Sequence, residues 1–297
     1  MSRLLAPIYD VHFGDADSDA KPFSLAAEQW HRIPLATAPD FVSGVVSLCK
    51  HLDVDLVIPT VDEELLPFAR GIRSQGLDVL LPPEDFVEIH LNKLTSNRFL
   101  RGKGLPVPKT EPCDGKQRVD FPCIVKPLSG RGSRNVALVN SEQELQAHIL
   151  LTKMLAQDFI VQERVAGQEY TVMMTADRTG RLRAVVPVFV ERKRGITLRA
   201  YTDRDEQVIA ACSAIHAAFP VPGCYNIQLI KTATGKVMPF EINPRISTTT
   251  CLGLAAGVNF IDIYLRRGDL TESEPSKLLD FQDRLYLRRS WYNEFRY

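Results

Sequence analysis

The spacing of apolar and polar positions changes character twice along the chain. Over residues 1–90 it alternates between helix-like and strand-like stretches. A polar, turn-rich stretch from Gly14 to Ala20 precedes a helical period from Phe41 to His51 and an apolar run from Asp55 to Pro59. That run leads into TVDEELLPFARGIRSQG, where Thr60 is placed to cap a helix with Glu63 three residues on. The alternation predicts a short parallel α/β sheet over residues 1–90.

Asn92 to Gly102 reads as a further helix, stopped by the Gly- and Pro-rich RGKGLPVPKT. Strands then follow at Phe121 to Pro127, Val136 to Val139 and Phe159 to Glu163, with SEQELQAHILLTKML as a helix before the last. Residues 91–163 are therefore expected to form a small α+β lobe. Beyond it, alternating runs at Glu169 to Ala176, Arg181 to Val190, Tyr225 to Thr232 and Lys236 to Ile242 predict a largely antiparallel sheet in a lobe over residues 164–297, with a turn at Thr234 and Gly235.

Composition narrows the class. The 297 residues carry 36 basic and 36 acidic side chains, so no global positive field exists for nonspecific nucleic-acid binding. The six cysteines form no CxxC pair and sit mostly among apolar neighbours, as reduced thiols of a cytoplasmic protein do. The N-terminal apolar run is too short for a signal peptide, and no segment has the ~20 apolar residues of a membrane span. The expectation is a cytoplasmic protein with no nucleic-acid or membrane partner.

Chemistry concentrates in NIQLIKTATGKVMPFEINPR. In an antiparallel hairpin, Gln228 points the same way as Glu241 and Asn243, which brings three oxygen-bearing side chains to one face. Hard cations such as Mg²⁺ take oxygen ligands and bridge them to nucleotide phosphates. Arg245, just past Pro244, is positioned to reach the same phosphates. Glu241 and Asn243 alone would equally suit the solvated face of an edge hairpin. The following STTTCLGLAAG tips the balance, because Ser247 to Thr250 at a helix start would offer free N–H groups to an anion.

Two further segments belong with it. In FPCIVKPLSGRGSRNVALV a strand delivers Lys126 to a loop containing Ser129, Gly130, Gly132 and Ser133, whose small residues let backbone N–H groups close over phosphate oxygens. Taken alone it is also an ordinary tight turn, and it is neither a P-loop nor a GxGxxG fingerprint. In IVQERVAGQEYTV a strand runs through Glu163 and Val165 to Gly167 and Glu169, where a strand end suits an adenine edge and a carboxylate suits ribose hydroxyls.

In order, these pieces resemble the ATP-grasp superfamily, in particular the branch similar to the carbamoyl-phosphate-synthase large chain and related carboxylate–amine ligases. LNKLTSNRFLRGKGLPVPKT resembles the segment whose lysine, here Lys93, contacts nucleotide phosphates. FPCIVKPLSGRGSRNV resembles the lid strand and glycine loop, with Lys126 the second nucleotide-binding cation. VQERVAGQEY resembles the adenine hinge and ribose carboxylates, carried by Glu163, Val165 and Glu169. NIQ with FEINPR resembles the metal-binding hairpin, carried by Gln228, Glu241, Asn243 and the phosphate-binding Arg245.

The resemblance implies an ATP-grasp fold, with two α+β lobes sandwiching ATP, preceded by a shortened, doubly wound α/β domain over residues 1–90. It implies Mg²⁺, with Mn²⁺ as an alternative, and ligation of a small-molecule carboxylate to an amine through an acyl phosphate. Arg245 and Lys126 would act on the transferred phosphoryl group. Relatives usually begin with a βα unit before the strand that LAPIYDVHFGD resembles, so an edge strand is expected to be lost or covered by a partner chain, as in a homodimer. In FVERKRGITLRAYTD, Arg194 and Arg199 are the candidates for binding the acceptor carboxylate, and Lys193 suits a solvated turn as well as a site. No histidine shows metal-ligand spacing, and the aromatic, basic C-terminal segment suits packing better than nucleic acid. A small-molecule kinase on the same scaffold and a noncatalytic nucleotide binder are the alternatives.

Overall fold

The computed structural model describes residues 2–114, 119–265, 277–291 and 293. The chain begins with the short helix α1 (Ser2–Leu5), the parallel strand pair β1 (Phe13–Asp15) and β2 (Trp30–Arg32), and helix α2 (Phe41–His51). Helix α3 (Asp62–Pro67) runs on into a wide turn at Phe68–Ile72 and ends at Gly76 in the left-handed region, φ +79°. The run from Asp55 to Pro59 makes only one isolated parallel bridge, Val57 to Val79. The parallel sheet expected here is thus reduced to two short pieces. Phe41, Val45, Leu65 and Ile72 close a core of their own beneath it.

The start of α3 differs from expectation. Val61 occupies the N-cap position without a side-chain bond, and the carboxylate that turns back on Thr60 N–H is that of Glu64, at 3.3 Å, not that of Glu63. The helix begins two residues after Thr60, which shifts the reciprocal acid by one and leaves Asp62 and Glu63 pointing elsewhere.

Helices α4 (Glu84–Leu91) and α5 (Lys93–Gly102) follow. Asn92 separates them and caps α5, its side-chain oxygen accepting from Leu94 N and Thr95 N at 3.0 and 3.2 Å, a device worth about 1 kcal/mol. Phe86 of α4 and Leu100 of α5 pack into the core of the large sheet, so this helix pair belongs by packing to the sheet that follows it later in the chain.

The small sheet comprises β3 (Thr110–Pro112), β4 (Cys123–Pro127), β5 (Ala137–Val139) and β6 (Phe159–Glu163), in the order β3-β6-β4-β5 and antiparallel throughout. Helix α6 (Glu142–Thr152) lies between β5 and β6, capped by Ser141, which accepts from Glu144 N at 3.2 Å. Alternation assigns the two faces. Cys123, Val125, Phe159 and Val161 join Leu145 of α6 in a core, while Ile124, Lys126 and Gln162 face the other way.

The large sheet comprises β7 (Gln168–Ala176), β8 (Leu182–Arg194), β9 (Ile196–Thr202), β10 (Gly223–Lys231), β11 (Val237–Asn243) and β12 (Tyr286–Arg288). It is six-stranded and antiparallel, in the order β11-β10-β7-β8-β9-β12. Helix α7 (Glu206–Ala218) covers one face, where Val172, Met174, Tyr225, Ile227 and Leu229 meet Val208, Cys212 and Ile215. Helices α8 (Thr250–Ala255) and α9 (Phe260–Leu265) cover part of the other, against Met173, Ala184 and Val186. The uncovered remainder of that face, carrying Glu169, Thr171, Gln228 and Glu241, opens toward Lys126 of the small sheet. Among the described residues no helix is long and apolar enough to cross a membrane.

Candidate functional site

The gap between the two sheets is a cleft of about 430 Å³, within the range of small-molecule sites. Its floor is the β10–β11 hairpin. Gln228 lies opposite Glu241, and Asn226 opposite Asn243, so all four side chains share the cleft face. Between Gln228 and Leu229 the register slips, because Leu229 pairs with Pro239 and Phe240 is the extra residue. The bulge lets Phe240 and Glu241, adjacent in sequence, both line the cleft.

The roof is the small sheet. Lys126, only 4 % exposed, directs its ammonium to the Phe240 carbonyl at 3.4 Å and over the Phe240 ring, 5.1 Å from its centroid. Lys93, the first residue of α5, donates to the Gly130 carbonyl at 2.9 Å and lies 4.0 Å from Glu241 Oε1. Lys193 of β8 bonds Glu169 at 2.7 Å and Gln228 Oε1 at 3.1 Å. Three ammonium groups from three separate elements thus surround one carboxylate. Burial alone would raise the Glu241 carboxyl, but Lys93, Lys126 and Lys193, with a bond from Asn243, hold it below the ordinary carboxylate range. Burial lowers Lys126 to about 8, with Glu241 opposing the shift and Lys93 and Lys193 adding to it.

The end wall holds Arg245, whose Nε lies 2.6 Å from Asp62 Oδ1 and whose Nη1 donates to the Ile246 carbonyl at 3.0 Å. Beside it the STTT segment differs from expectation. Ser247 N–H donates to Thr250 Oγ1 at 3.0 Å and Thr249 N–H to Ser247 Oγ at 3.3 Å, so hydroxyls already satisfy two of the N–H groups expected to be free. At the opposite end Glu163 accepts from Lys109 N–H at 3.0 Å, and Gln162 donates to Thr110 at 2.7 Å.

Lys93, Lys126, Glu163, Val165, Glu169, Gln228, Glu241, Asn243 and Arg245 all line this one cleft, as do Ser129, Gly130, Gly132 and Ser133 of the glycine loop. Arg194 and Arg199 do not, and here the expected order is reversed: the basic residue of this stretch that enters the cleft is Lys193. The cause is a pair of register slips between Val190 and Lys193. Unbroken alternation from Val186 and Val188 would turn Arg192 and Arg194 inward. The slips move the parity by one. Arg199 stands instead in register between Arg192 and Arg288, outside the cleft. Sequence reasoning also missed Asp62, Glu63, Arg131 and Phe240. Nothing in the sequence marks Asp62 or Arg131, Glu63 reads as the capping partner of Thr60, and Phe240 depends on a bulge.

Two α+β lobes enclosing an elongated cleft, with a glycine loop on one and a Glu-x-Asn hairpin on the other, define an ATP-grasp architecture. Comparison with known proteins agrees. Residues 156–287 match a family model described as ATP-grasp in the biosynthetic pathway with Ter operon. The chain is 26 % identical over 198 residues to a D-alanine--D-alanine ligase of Alcanivorax borkumensis, covering 61 % of this chain and 64 % of the ligase. It is 25 % identical over 246 residues to a carbamoyl phosphate synthase large chain of Methanobrevibacter smithii, covering 73 % of this chain and 23 % of the synthase. The chain thus spans less than two thirds of the length of either relative. Among solved structures, the biotin carboxylase of Campylobacter jejuni superposes with a TM-score of 0.69 at 14 % identity over 92 % of this chain and 69 % of that one. The N5-carboxyaminoimidazole ribonucleotide synthetase of Thermus thermophilus gives 0.68 at 17 %, over 89 % and 74 %. The chain is similar to these ATP-grasp proteins and shares the fold of the solved structures among them.

Proposed function

We propose that the protein is an ATP-dependent carboxylate–amine ligase, which activates a small-molecule carboxylate as an acyl phosphate and joins it to an amine, releasing ADP and phosphate. The observation that carries this reading is the convergence of Lys93, Lys126 and Lys193 on Glu241 in a single cleft, with Arg245 at its end wall. Lys193 also meets Glu169 and Arg245 meets Asp62, which leaves Lys93 and Lys126 sharing Glu241, and this excess of positive charge suits a polyphosphate. The relatives named as D-alanine--D-alanine ligase and N5-carboxyaminoimidazole ribonucleotide synthetase support the reaction class.

The donor set fits a hard divalent ion. Glu241, Gln228 and Asn243 offer oxygens only, and among the described residues no group of three or more His, Cys, Asp or Glu side chains forms a cage, so the phosphates of the nucleotide would complete the coordination. Mg²⁺ bound there would offset phosphate charge as a Lewis acid. The chain's own residues supply the rest. Lys93 and Lys126 approach from the roof and Arg245 from the end wall, where fixed charges favour charge developing on a transferred phosphoryl group. Glu163, Val165 and Glu169 are the proposed adenine and ribose end. The loop from Ser129 to Ser133 is the proposed cover that keeps water from an acyl phosphate. Lys193 takes the place expected of Arg194 and Arg199 as the basic residue of this stretch in the cleft, and its bonds to Glu169 and Gln228 set it beside the nucleotide. Residues 91–163 and 164–297 are the proposed lobes, with α5 of the first packed on the sheet of the second and residues 1–90 shaping the acceptor end. Five buried cysteines support a cytoplasmic setting.

A screen of carboxylates crossed with amines, with ADP release as readout and mass spectrometry of the product, tests this. An amide product formed only with ATP and both partners is expected. A stable phosphorylated product without an amine would instead make the protein a kinase, and no turnover with any pair would make it a binder.

A further inference from the structure

The three carboxylates in the first turn of α3 have three different partners. Glu64 serves its own helix through Thr60 N–H. Asp62 and Glu63 reach away from it: Asp62 Oδ1 lies 2.6 Å from Arg245 Nε, and Glu63 Oε2 lies 3.2 Å from Arg131 Nε. Arg245 follows the hairpin of the large sheet, and Arg131 stands between Gly130 and Gly132 in the loop of the small sheet. Two successive residues of the N-terminal region therefore hold one arginine from each lobe, at the same end of the cleft.

The two contacts differ in strength. The Asp62 and Arg245 side chains are 16 % and 12 % exposed, so solvent screens their pair little. With Nε on Asp62 and Nη1 on the Ile246 carbonyl, the guanidinium plane is fixed and Nη2 has no partner among the described residues. The Glu63 and Arg131 side chains are 51 % and 34 % exposed, as suits a contact that opens and closes. Burial would raise the Glu63 carboxyl, but its helix-start N–H bond and the Arg131 guanidinium hold it below the usual range. A first-turn carboxylate suits the helix start by charge alone, but that role needs no guanidinium partner, whereas Asp62 and Glu63 each hold one.

We propose that Asp62 and Glu63 are positioning residues: Asp62 fixes the Arg245 guanidinium for the terminal phosphate of the nucleotide, and Glu63 holds the glycine loop over the cleft through Arg131. The first role rests on the ATP reading above. The second does not. The N-terminal region thereby completes the phosphate end of a site whose other residues belong to the two lobes.

Two measurements test this separately. Calorimetric titration compares the magnesium complex of a non-hydrolysable ATP analogue with MgADP on the wild type, Asp62→Asn, Arg245→Gln and the double variant. Asp62→Asn is expected to lose about tenfold of the preference for the triphosphate, in the range of one charge-assisted bond, and the double variant to lose no more than Arg245→Gln alone. Losses that multiply, or an unchanged preference in Asp62→Asn, overturn the role. Should Asp62→Asn not fold, Asp62→Glu keeps the charge, displaces the guanidinium and is expected to give the same loss. In nucleotide-free protein, trypsin is expected to cut after Arg131 about tenfold faster in Glu63→Gln than in wild type, because a charge-assisted contact no longer withholds the side chain. Equal rates overturn the loop role. A wild type that binds neither nucleotide removes the ATP reading and the Asp62 role together, while the proteolysis result still decides the role of Glu63.

Discussion

Glu241 faces Gln228 directly across the β10–β11 hairpin, and the ammonium group that bonds Gln228 Oε1, that of Lys193, is one of the three that hold the Glu241 carboxylate ionised. The pair is thus arranged around positive charge before any nucleotide enters. Mg²⁺ and phosphates would exchange one set of charges for another, which keeps reorganisation small.

Glu241→Gln follows from that relationship. The amide keeps the size of the side chain but leaves Lys93, Lys126 and Lys193 without their shared counter-charge. The expected outcome is a fall in carboxylate-dependent ADP release of about a hundredfold or more, as for removal of a group that stabilises developing charge. Calorimetric titration of ATP with and without Mg²⁺ checks the cause. The wild type should gain affinity from the metal and the variant should not.

The basic stretch of β8 and β9 provides a comparison within one hairpin. Lys193→Ala removes a contact to Glu169 and another to Gln228, and should weaken nucleotide binding about tenfold. Arg199→Ala, on a side chain outside the cleft, should leave it within about twofold, as surface substitutions usually do. Equal effects from the two would show that the register slips do not decide which residue serves the site.

These cases also show what was legible in the sequence. Gln228, Glu241 and Asn243 were assigned to one face by alternation, yet alternation counted from the turn at Gly235 would pair Gln228 with Phe240, and it is the extra residue Phe240 that brings Glu241 opposite Gln228. Lys193 could not, because two slips inside β8 and β9 changed the parity and nothing in ERKRG marks them. Ile196 to Thr202, which forms β9, was not among the strands read from the sequence. The N-terminal region was legible as helices, with α2 at its expected bounds, but its parallel strands were not: Asp55 to Pro59 is apolar enough for a buried strand yet pairs only at Val57. Nothing marked Asp62, and Glu63 read as the capping partner of Thr60, since their partners lie 183 and 68 residues away.

Gly167 links β6 to β7 at the proposed adenine end, and a Cβ there would stand 2.2 Å from the Lys231 carbonyl oxygen, a backbone atom that cannot turn aside. Gly167→Ala is expected to cost about 2–4 kcal/mol of stability through forced backbone displacement. A Cβ on Gly102, the last residue of α5, would meet no neighbour within 4 Å, and Gly102→Ala should be neutral or stabilising by up to about 1 kcal/mol. Urea unfolding of the two variants checks the contrast.

Lys126 connects stability, pH and binding. Burial lowers its ammonium from 10.5 to about 8, opposed by Glu241 and reinforced by Lys93 and Lys193. Between about pH 8 and 10.5 the unfolded chain binds a proton that the folded one has lost, so this residue makes stability rise with pH across that window, and below it the penalty is carried in full, at about 3 kcal/mol. Lys126→Met should therefore raise the nucleotide-free stability at neutral pH by up to that amount, and flatten its rise above pH 8. Binding has the opposite sign. A polyphosphate beside Lys126 favours the ammonium, so above about pH 8 nucleotide binding must draw a proton from solution, and affinity should fall by up to about tenfold per pH unit. Titrations at about pH 8.5 in buffers of different ionisation enthalpy read this uptake directly. Wild type should take up a substantial fraction of one proton, and Lys126→Arg, which stays charged throughout, should take up none. Equal uptake by the two would mean that a different group titrates in the cleft, and that the buried ammonium on Phe240 is not the cation the phosphates meet.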